Sequence, residues 1–334
     1  MFGSTTLDIV ISLVFIFLLY SLLATTILEL LASAFNWRAK ILEKGIKRIL
    51  DGDGDINFSQ HFFNHPLFKY FGRASEDKTK KGSKPSYISS QNFSKIMIDI
   101  MKEGKHGVDS ASAVKSFIDE QYAAHHGDNT GVAGGGTNNI IKKIDGETIK
   151  LIKSFSDDVE NDIDKMRVVL ERWFDDLMLR TSGWYKRHTQ VWLLGIGFTM
   201  AIMFNVNTIG IVGHLSRDKA ATAQLAQMAT DYVKTNPLPA ATRDSTYGNA
   251  DKTSALVDSA KAQLNGQIKD ANNILGLGYN AEMFEQYTFG NYLMMLIGWL
   301  ITALAISLGA PFWYNQLSRI ASLRSSGSKP DEKK

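Results

Sequence analysis

Three long apolar runs interrupt an otherwise polar sequence, at residues 9–28, 191–212 and 292–310, and none of them contains a charged side chain. At about 1.5 Å of rise per residue, a helix of roughly 20 apolar residues matches a hydrocarbon core of roughly 30 Å. Each run therefore predicts one transmembrane helix. A cleaved signal peptide is the alternative for the first run, but residues 1–8 lack Lys and Arg and the run exceeds a signal-peptide core.

The basic residues that flank these runs lie on one side of the predicted membrane. They cluster after the first run, before the second and after the third, whereas the N-terminus has none. Because Lys and Arg resist translocation, the chain is predicted to begin outside and to end in the cytoplasm. The predicted organisation is transmembrane helix 1 in residues 1–34, a cytoplasmic helical region with basic and glycine-rich loops in 35–190, transmembrane helix 2 in 191–212, an external helical hairpin in 213–291, transmembrane helix 3 in 292–311 and a basic cytoplasmic tail in 312–334.

The cytoplasmic region is predicted to be a small bundle of helices. Residues 35–50 continue the first helix in this prediction, with an apolar face that either packs on the other helices or lies on anionic lipid. Further helices are predicted at 91–102 and 110–122. The strongest pattern is an apolar repeat every three or four residues, which predicts a helix-packing seam or, as its alternative use, self-association. The repeat consists of Val159, Ile163, Met166, Leu170, Trp173 and Leu177.

Two alanine-rich segments, 217–234 and 254–275, predict the two helices of the external hairpin. Their apolar faces are too modest to form a core alone. We therefore expect the hairpin helices to pack on each other and on a sister subunit or a membrane-complex partner protein.

Two short patterns in the cytoplasmic region raise the question of metal binding. Residues 51–55 (DGDGD), with two glycines and three acids, predict a turn that ends the helix at 35–50. They also begin like a calcium loop, but an EF-hand requires Gly and Glu where this chain has Ile56 and Phe62. His61 and His65 stand four residues apart, yet a proline follows at once and indicates a local turn. No metal site is predicted.

Two loops are predicted to be solvated, the lysine-rich segment 69–84 and the glycine-rich segment 123–139. The first suits lipid headgroups but lacks the aromatic residues that nucleic-acid binding uses, and the second lacks the GK[ST] of a phosphate cradle. The net charge of +3 is ordinary, and zero cysteines exclude disulfides and thiolate chemistry. Because GxSxG and HExxH are also absent, no catalytic residue, cofactor or nucleic-acid partner is predicted.

Three polar side chains inside or beside the runs are candidate intramembrane sites. Glu29 is expected to pair with Arg180 or Arg187 as a structural clasp, with a proton relay as the alternative. Asn205 and Asn207 would point about 200° apart on a continuous helix, so they are not expected to line one pore. We expect them to form interhelical hydrogen bonds or to lie near the outer interface.

The junction before the second run and the end of the third run carry the most specific motifs. The first reads WFDDLMLRTSGWYKR and the second SLGAPFW, and both occur with HPLFKYF, KPSYISSQNF, FNVNT and LSRD in one order along the chain. This pattern resembles a family of uncharacterised bacterial three-helix inner-membrane proteins. The resemblance implies a multi-pass protein of the bacterial inner membrane and assigns no catalytic role. The motif residues are Trp173, Phe174, Asp175, Arg180, Gly183, Trp184, Tyr185, Lys186 and Arg187 at the junction, and Gly309, Pro311, Phe312 and Trp313 at the third-span end.

Trp184 and Tyr185 suit the interfacial aromatic belt, and Lys186 and Arg187 suit anionic headgroups. The favoured function is a non-catalytic inner-membrane scaffold or accessory subunit, which links a cytoplasmic bundle to an external hairpin and forms a homo-oligomer or joins a membrane complex. An oligomeric channel or transport component is the alternative, although no run shows a polar stripe. A membrane-bound enzyme is third, and it would need a site that these motifs do not reveal.

Overall fold

The structure, a computed structural model, describes residues 2–52, 58–72, 84–103, 109–126, 144–160, 162–236, 266–279 and 288–326. Every regular element in these ranges is a helix, which confirms the predicted all-α class. The helices are α1 (Phe2–Ala34), α2 (Trp37–Leu50), α3 (Phe58–Asn64), α4 (Pro66–Tyr70), α5 (Ser90–Lys102), α6 (Ser110–His126), α7 (Gly146–Asp158), α8 (Ile163–Met203), α9 (Thr208–Arg217), α10 (Lys219–Thr235), α11 (266–275), α12 (Phe289–Ser307) and α13 (Ala310–Ser326).

The chain forms two compact units. The span unit comprises Met1–Ala32 and Lys186–Lys334, and the bundle unit comprises Ser33–Tyr185. Most of the two predicted loops and much of the predicted hairpin, at 73–83, 127–143 and 237–265, lie outside the described residues.

Two described helices are each long and apolar enough to cross a membrane, in Thr5–Ala32 of α1 and in α12. Helices α8 and α9 meet the same criterion only as a pair, and they are bent by 52° at a break of four residues. The chain therefore has two candidate spans, or three if the bent pair is one span. The prediction of one continuous helix over 191–212 is wrong, because the helix stops at Met203 and restarts at Thr208.

Helix α1 is the inner helix of the span unit. Of its most apolar window, 61% is buried within the protein, against 33% for α12. Its Ser12 hydroxyl lies 3.1 Å from the Thr222 carbonyl of α10, and its Tyr20 hydroxyl donates to Asn272 Oδ1 of α11 at 2.7 Å. Helix α12 instead leaves a row of large apolar side chains exposed, as expected for a face solvated by lipid tails. The row includes Leu293, Leu296, Ile297, Leu300 and Leu304.

Helices α10 and α13 pack on each other. The Tyr314 hydroxyl of α13 donates to the Asn236 carbonyl at the end of α10 at 2.8 Å. The sequence prediction places α10 outside the membrane and the chain after residue 312 in the cytoplasm. Two helices in contact cannot lie on opposite sides of a hydrocarbon core of roughly 30 Å. The predicted locations of α10 and of the chain after residue 312 therefore cannot both be right.

The bundle unit is built around one apolar core to which α2 to α8 all contribute. Helix α2 is not a direct continuation of α1, because Asn36 adopts a left-handed conformation with φ of 50° before Trp37 starts the new helix. Its apolar face, with Leu42 and Ile46, is buried in this core, which favours the packing interpretation of 35–50.

The predicted seam is confirmed as a packing face. Its residues Val159, Met166 and Leu170 are buried, and the other three are partly buried against the same core. The helix begins at Ile163, after a turn at 159–160, so the seam starts one turn before its helix. Self-association through this face and the cytoplasmic location of the unit stay predictions.

Two polar contacts hold the ends of helices in the bundle unit. Asp51, at the start of the predicted DGDGD turn, accepts hydrogen bonds from the Ser59 amide and hydroxyl. At the end of α2, the Leu50 carbonyl accepts from the Asp145 amide at 3.3 Å. Gly52, with φ of +61°, lies so close to the Asp145 carboxylate that a side chain at Gly52 would meet it. The turn at 51–52 is therefore confirmed, and residues 53–57 lie outside the described part of the chain.

Glu43 binds two lysines on the surface of the bundle unit. Its carboxylate lies 2.6 Å from Lys84 Nζ and 2.9 Å from Lys47 Nζ. Burial by itself would raise the pKa of Glu43, but hydrogen bonds and charge from Lys84 and Lys47 outweigh it and hold that pKa below its ordinary value. Lys84 also lies 4.7 Å from the centroid of the Phe63 ring, so this end of the predicted solvated loop is docked.

Candidate functional site

The break between α8 and α9 is formed by the polar residues of the FNVN sequence. Asn205 has φ of 51°, a left-handed conformation that Asn tolerates better than most residues. Its amide donates to the Ile202 carbonyl at 3.1 Å and the Val206 amide donates to the Ala201 carbonyl at 2.8 Å, which is the Schellman pattern of a helix end. Asn205 therefore ends α8.

Asn207 begins the next helix. Its side-chain Oδ1 accepts from the amides of Ile209 at 3.0 Å and Gly210 at 3.2 Å, which makes it the N-cap of α9. The two asparagines thus terminate and restart a helix, and the expectation of opposite faces on one continuous helix is wrong. The break replaces the uniform period of about 100° per residue on which that expectation depended.

The segment 276–279 closes one side of the break. Asn205 Nδ2 donates to the Gly278 carbonyl at 2.8 Å, and the Tyr279 hydroxyl donates to the Ile202 carbonyl at 2.5 Å. Asn205 is therefore hydrogen-bonded within the chain as expected, although its partner is a turn and not another helix.

Helix α12 closes the other side with one hydroxyl and one glycine. Thr302 Oγ1 lies 2.7 Å from the Val206 carbonyl and 2.7 Å from Thr208 Oγ1, and it accepts from the Thr208 amide at 3.2 Å. Thr302 and Thr208 are both buried. Gly298 lies directly against the Asn207 side chain, so that a Cβ at this position would overlap the amide. Backbone groups that the break removes from helical hydrogen bonding are thereby satisfied by a neighbouring helix.

This site is suited to hydrogen bonding and not to proton transfer. Its polar side chains are amides and hydroxyls, which carry no charge near neutral pH. Among the described residues, no group of three or more His, Asp or Glu side chains could hold a metal ion. A cavity beside Val159 and Met166 in the bundle unit has a volume of about 10 Å³, which is room for about one water and not for an organic substrate.

The first residues of the junction motif belong to the core of the bundle unit. The Phe174 ring is 1% exposed and stacks on Phe93 with centroids 4.4 Å apart. Trp173 contacts Phe93 and Phe155 edge to face. Asp175 is exposed. These contacts give Trp173 and Phe174 a packing role, which the apolar seam had indicated for Trp173 alone.

The later junction residues meet α2. The Arg48 guanidinium lies over the Trp184 ring, 5.1 Å from its centroid, and the Arg38 guanidinium lies over Tyr185 at 5.8 Å. Arg38 Nε also donates to the Tyr185 hydroxyl at 3.3 Å. Trp184 and Tyr185, which were predicted to lie at the membrane interface, are therefore each in contact with an arginine of α2.

The remaining junction residues are open to their surroundings. Arg180, Lys186 and Arg187 are exposed, and a Cβ at Gly183 would meet no atom within 4 Å. Glu29 is partly exposed on α1, and its clasp to Arg180 or Arg187 stays a prediction.

The third-span end is a tight turn. Helix α12 stops at Ser307, and Gly309, with φ of 84°, supplies the left-handed residue before α13 starts. Trp313 folds back so that its Nε1 donates to the Ala305 carbonyl at 2.6 Å and its ring lies 4.8 Å from Phe17 of α1. Pro311 and Phe312 are exposed in the first turn of α13. This motif therefore redirects the chain onto α1.

Sequence reasoning missed Thr208 and Thr302, although a signal for the break was present. Asn is a favoured N-cap residue and is rare inside apolar runs, so two of them close together indicate a helix end as well as a buried amide. Thr302 gave no such signal, because Thr is common in transmembrane helices.

Comparison of this chain with protein-family models, with curated proteins and with solved structures finds no match. The resemblance carried by the GWYKR and SLGAPFW motifs therefore stays a prediction.

Proposed function

We propose that this chain is a non-catalytic scaffold or accessory subunit of the bacterial inner membrane, which joins a helical bundle to the bilayer. The observation that carries the proposal is that polar side chains inside the apolar runs form hydrogen bonds within the span unit. Ser12 and Tyr20 along α1, and Asn205 and Thr302 at the α8–α9 break, are hydrogen-bonded to other parts of the same chain. The buried Trp299 Nε1 is an exception, since it has no hydrogen-bond partner among the described residues.

Internal hydrogen bonding favours a structural role over transport. A conduit presents polar groups to a water-filled path, whereas Asn205, Thr208 and Thr302 direct theirs to backbone and side-chain partners. The large apolar side chains of α12 face outward, where lipid or another transmembrane helix would cover them. This arrangement is that of a packed helical unit with an apolar exterior.

The bundle unit is the part that would engage a partner on the cytoplasmic side. The cytoplasmic location is supported by the basic residues at 38–48 and 180–187, which follow the first apolar run and precede the second. The partner in this proposal is a sister subunit or another membrane protein.

Purification of the full chain in a mild detergent, followed by mass determination of the intact complex, tests the proposal. A scaffold or accessory subunit is expected to appear as an oligomer or with a stoichiometric partner. A monomer without any co-purifying protein, isolated from gently solubilised membranes, would count decisively against it. The same preparation in liposomes should show no ion flux above that of protein-free liposomes, and a flux abolished by Asn205→Leu would favour transport.

A further inference from the structure

The bundle unit carries a basic surface along α2. Lys40, Lys44 and Arg48 recur every four residues, so they form one stripe on this helix, and all three side chains are exposed. The opposite side of α2 is buried in the core through Leu42 and Ile46. We call the three residues the α2 stripe.

The α2 stripe borders the face on which α2 meets α8. On that face Gly45 lies against Thr181, where a Cβ would be 3.1 Å from the threonine hydroxyl oxygen. Three residues along, Arg48 lies over Trp184. Exposed Arg180 stands one turn before Trp184 on α8 and adds a fourth positive charge to this region. The stripe thus has aromatic rings and a further cation beside it.

The charge of the α2 stripe is not offset by the nearest acid on its own helix. Glu43 is bonded to Lys47 and Lys84, two lysines outside the stripe. On α8, Asp176 stands one turn before Arg180 and offsets part of the charge of that residue, so the net positive surface rests on the three residues of α2.

Basic side chains next to Trp and Tyr are the combination by which proteins contact the headgroup region of a bilayer. Trp184 precedes the second apolar run by only seven residues. The aromatic side chain beside the stripe is therefore near the start of a candidate span in the sequence. Phosphate-bearing headgroups supply the complementary charge, and a cluster of cations beside a span is attracted to anionic lipid.

We propose that the α2 stripe is a docking surface for an anionic phospholipid bilayer, with the headgroup phosphates as its ligands. This proposal does not depend on the scaffold function. It concerns the lipid that borders the protein, whichever protein partner it has.

The test uses the full chain, purified in mild detergent and depleted of lipid, with native mass spectrometry of added phosphatidylglycerol and phosphatidylcholine. The wild-type protein is expected to prefer phosphatidylglycerol. The triple variant Lys40→Gln, Lys44→Gln, Arg48→Gln should weaken phosphatidylglycerol binding by about 100-fold, because each basic residue near an anionic surface contributes about fivefold. Binding of phosphatidylcholine should stay unchanged.

A matched control removes three exposed lysines elsewhere on the bundle unit, Lys95→Gln, Lys115→Gln and Lys165→Gln. It should keep the wild-type preference. A second variant, Lys40→Arg, Lys44→Arg, Arg48→Lys, keeps the charge of the stripe and should keep it too. In the wild-type protein, raising the ammonium acetate concentration from about 50 to about 500 mM should reduce the preference, since the screening length falls several-fold.

Four results would each overturn the proposal. The first is a glutamine triple variant that retains the wild-type preference, and the second is an equal loss in the control variant. The third is heparin, a polyanion without lipid, binding to the stripe as tightly as phosphatidylglycerol does. A preference in the wild-type protein that is insensitive to salt would also contradict it, and this measurement does not require any variant to fold.

Discussion

The substitution Gly298→Ala is expected to destabilise the span unit although it adds only one methyl group. Gly298 is buried on α12 against the side chain of Asn207, and a Cβ at this position would overlap the amide. That amide caps α9 through its bonds to the backbone of Ile209 and Gly210. The methyl group can be accommodated only if Asn207 moves and the cap is weakened.

The magnitude follows from three contributions. Overpacking a tight helix contact costs about 1–3 kcal/mol, and losing an N-cap costs about 1 kcal/mol. Replacing Gly by Ala inside a helix returns up to about 1 kcal/mol. The net effect of Gly298→Ala is a loss of about 2 kcal/mol in the free energy of unfolding.

The assay is unfolding of the purified protein in mixed micelles of a mild detergent and increasing dodecyl sulfate, followed by circular dichroism. Gly195→Ala is the matched control, because Gly195 is inside α8 and a Cβ there would meet no atom within 4 Å. This control should be neutral or slightly stabilising. Adding Asn207→Ser to Gly298→Ala should restore stability, since Ser caps a helix with a shorter side chain. If Gly298→Ala and Gly195→Ala unfolded at the same proportion of dodecyl sulfate, the tight contact at the break would be refuted.

Three further predictions concern other contacts. Glu43→Gln should lower stability by about 1 kcal/mol at pH 7. Because the pKa of Glu43 is lowered in the folded protein, the stability difference between the wild-type protein and Glu43→Gln should be present above the ordinary pKa of 4.5. It should vanish as the pH falls through the folded pKa, and thermal unfolding of the two proteins at a series of pH values measures this. Gly52→Ala should cost about 1–3 kcal/mol through its left-handed conformation and its approach to Asp145, and equal stability in urea unfolding would contradict this. Since the natural chain has no cysteine, the pair Asn236→Cys and Tyr314→Cys should cross-link with a short bis-maleimide in intact membranes, whereas labelling of the two sites from opposite faces would argue against the α10–α13 contact.

The features that could be predicted from the sequence are those with a local physical signal. Twenty uncharged apolar residues suffice to predict a candidate span, and α1 and α12 meet that expectation. The seam from Val159 to Leu177 was predictable because helical periodicity is set by neighbours three and four residues away. Helix α7, in contrast, was not predicted, since its few apolar residues become a packing face only against α6.

The features that escaped prediction depend on contacts between distant residues. Asn205 and Asn207 are recognisable as polar residues in an apolar run, but the helix breaks there because Thr302, nearly a hundred positions later, supplies hydrogen bonds to the freed backbone. The side of the membrane on which α10 lies was inferred from flanking charge alone. Its packing on α13 is a tertiary contact that such a rule does not see.

The central structural claim is that Thr208 and Thr302 bind each other at the α8–α9 break and thereby stabilise the span unit. A double-mutant cycle with Thr208→Val and Thr302→Val, measured by the same unfolding assay, tests this claim directly. Hydrogen bonds between membrane helices contribute about 0.6 kcal/mol on average and up to about 1.7 kcal/mol, so a coupling energy in this range is predicted. If the two substitutions were additive, or if both were neutral, the threonines would not be bonded to each other and the proposed structural role of the break would be contradicted.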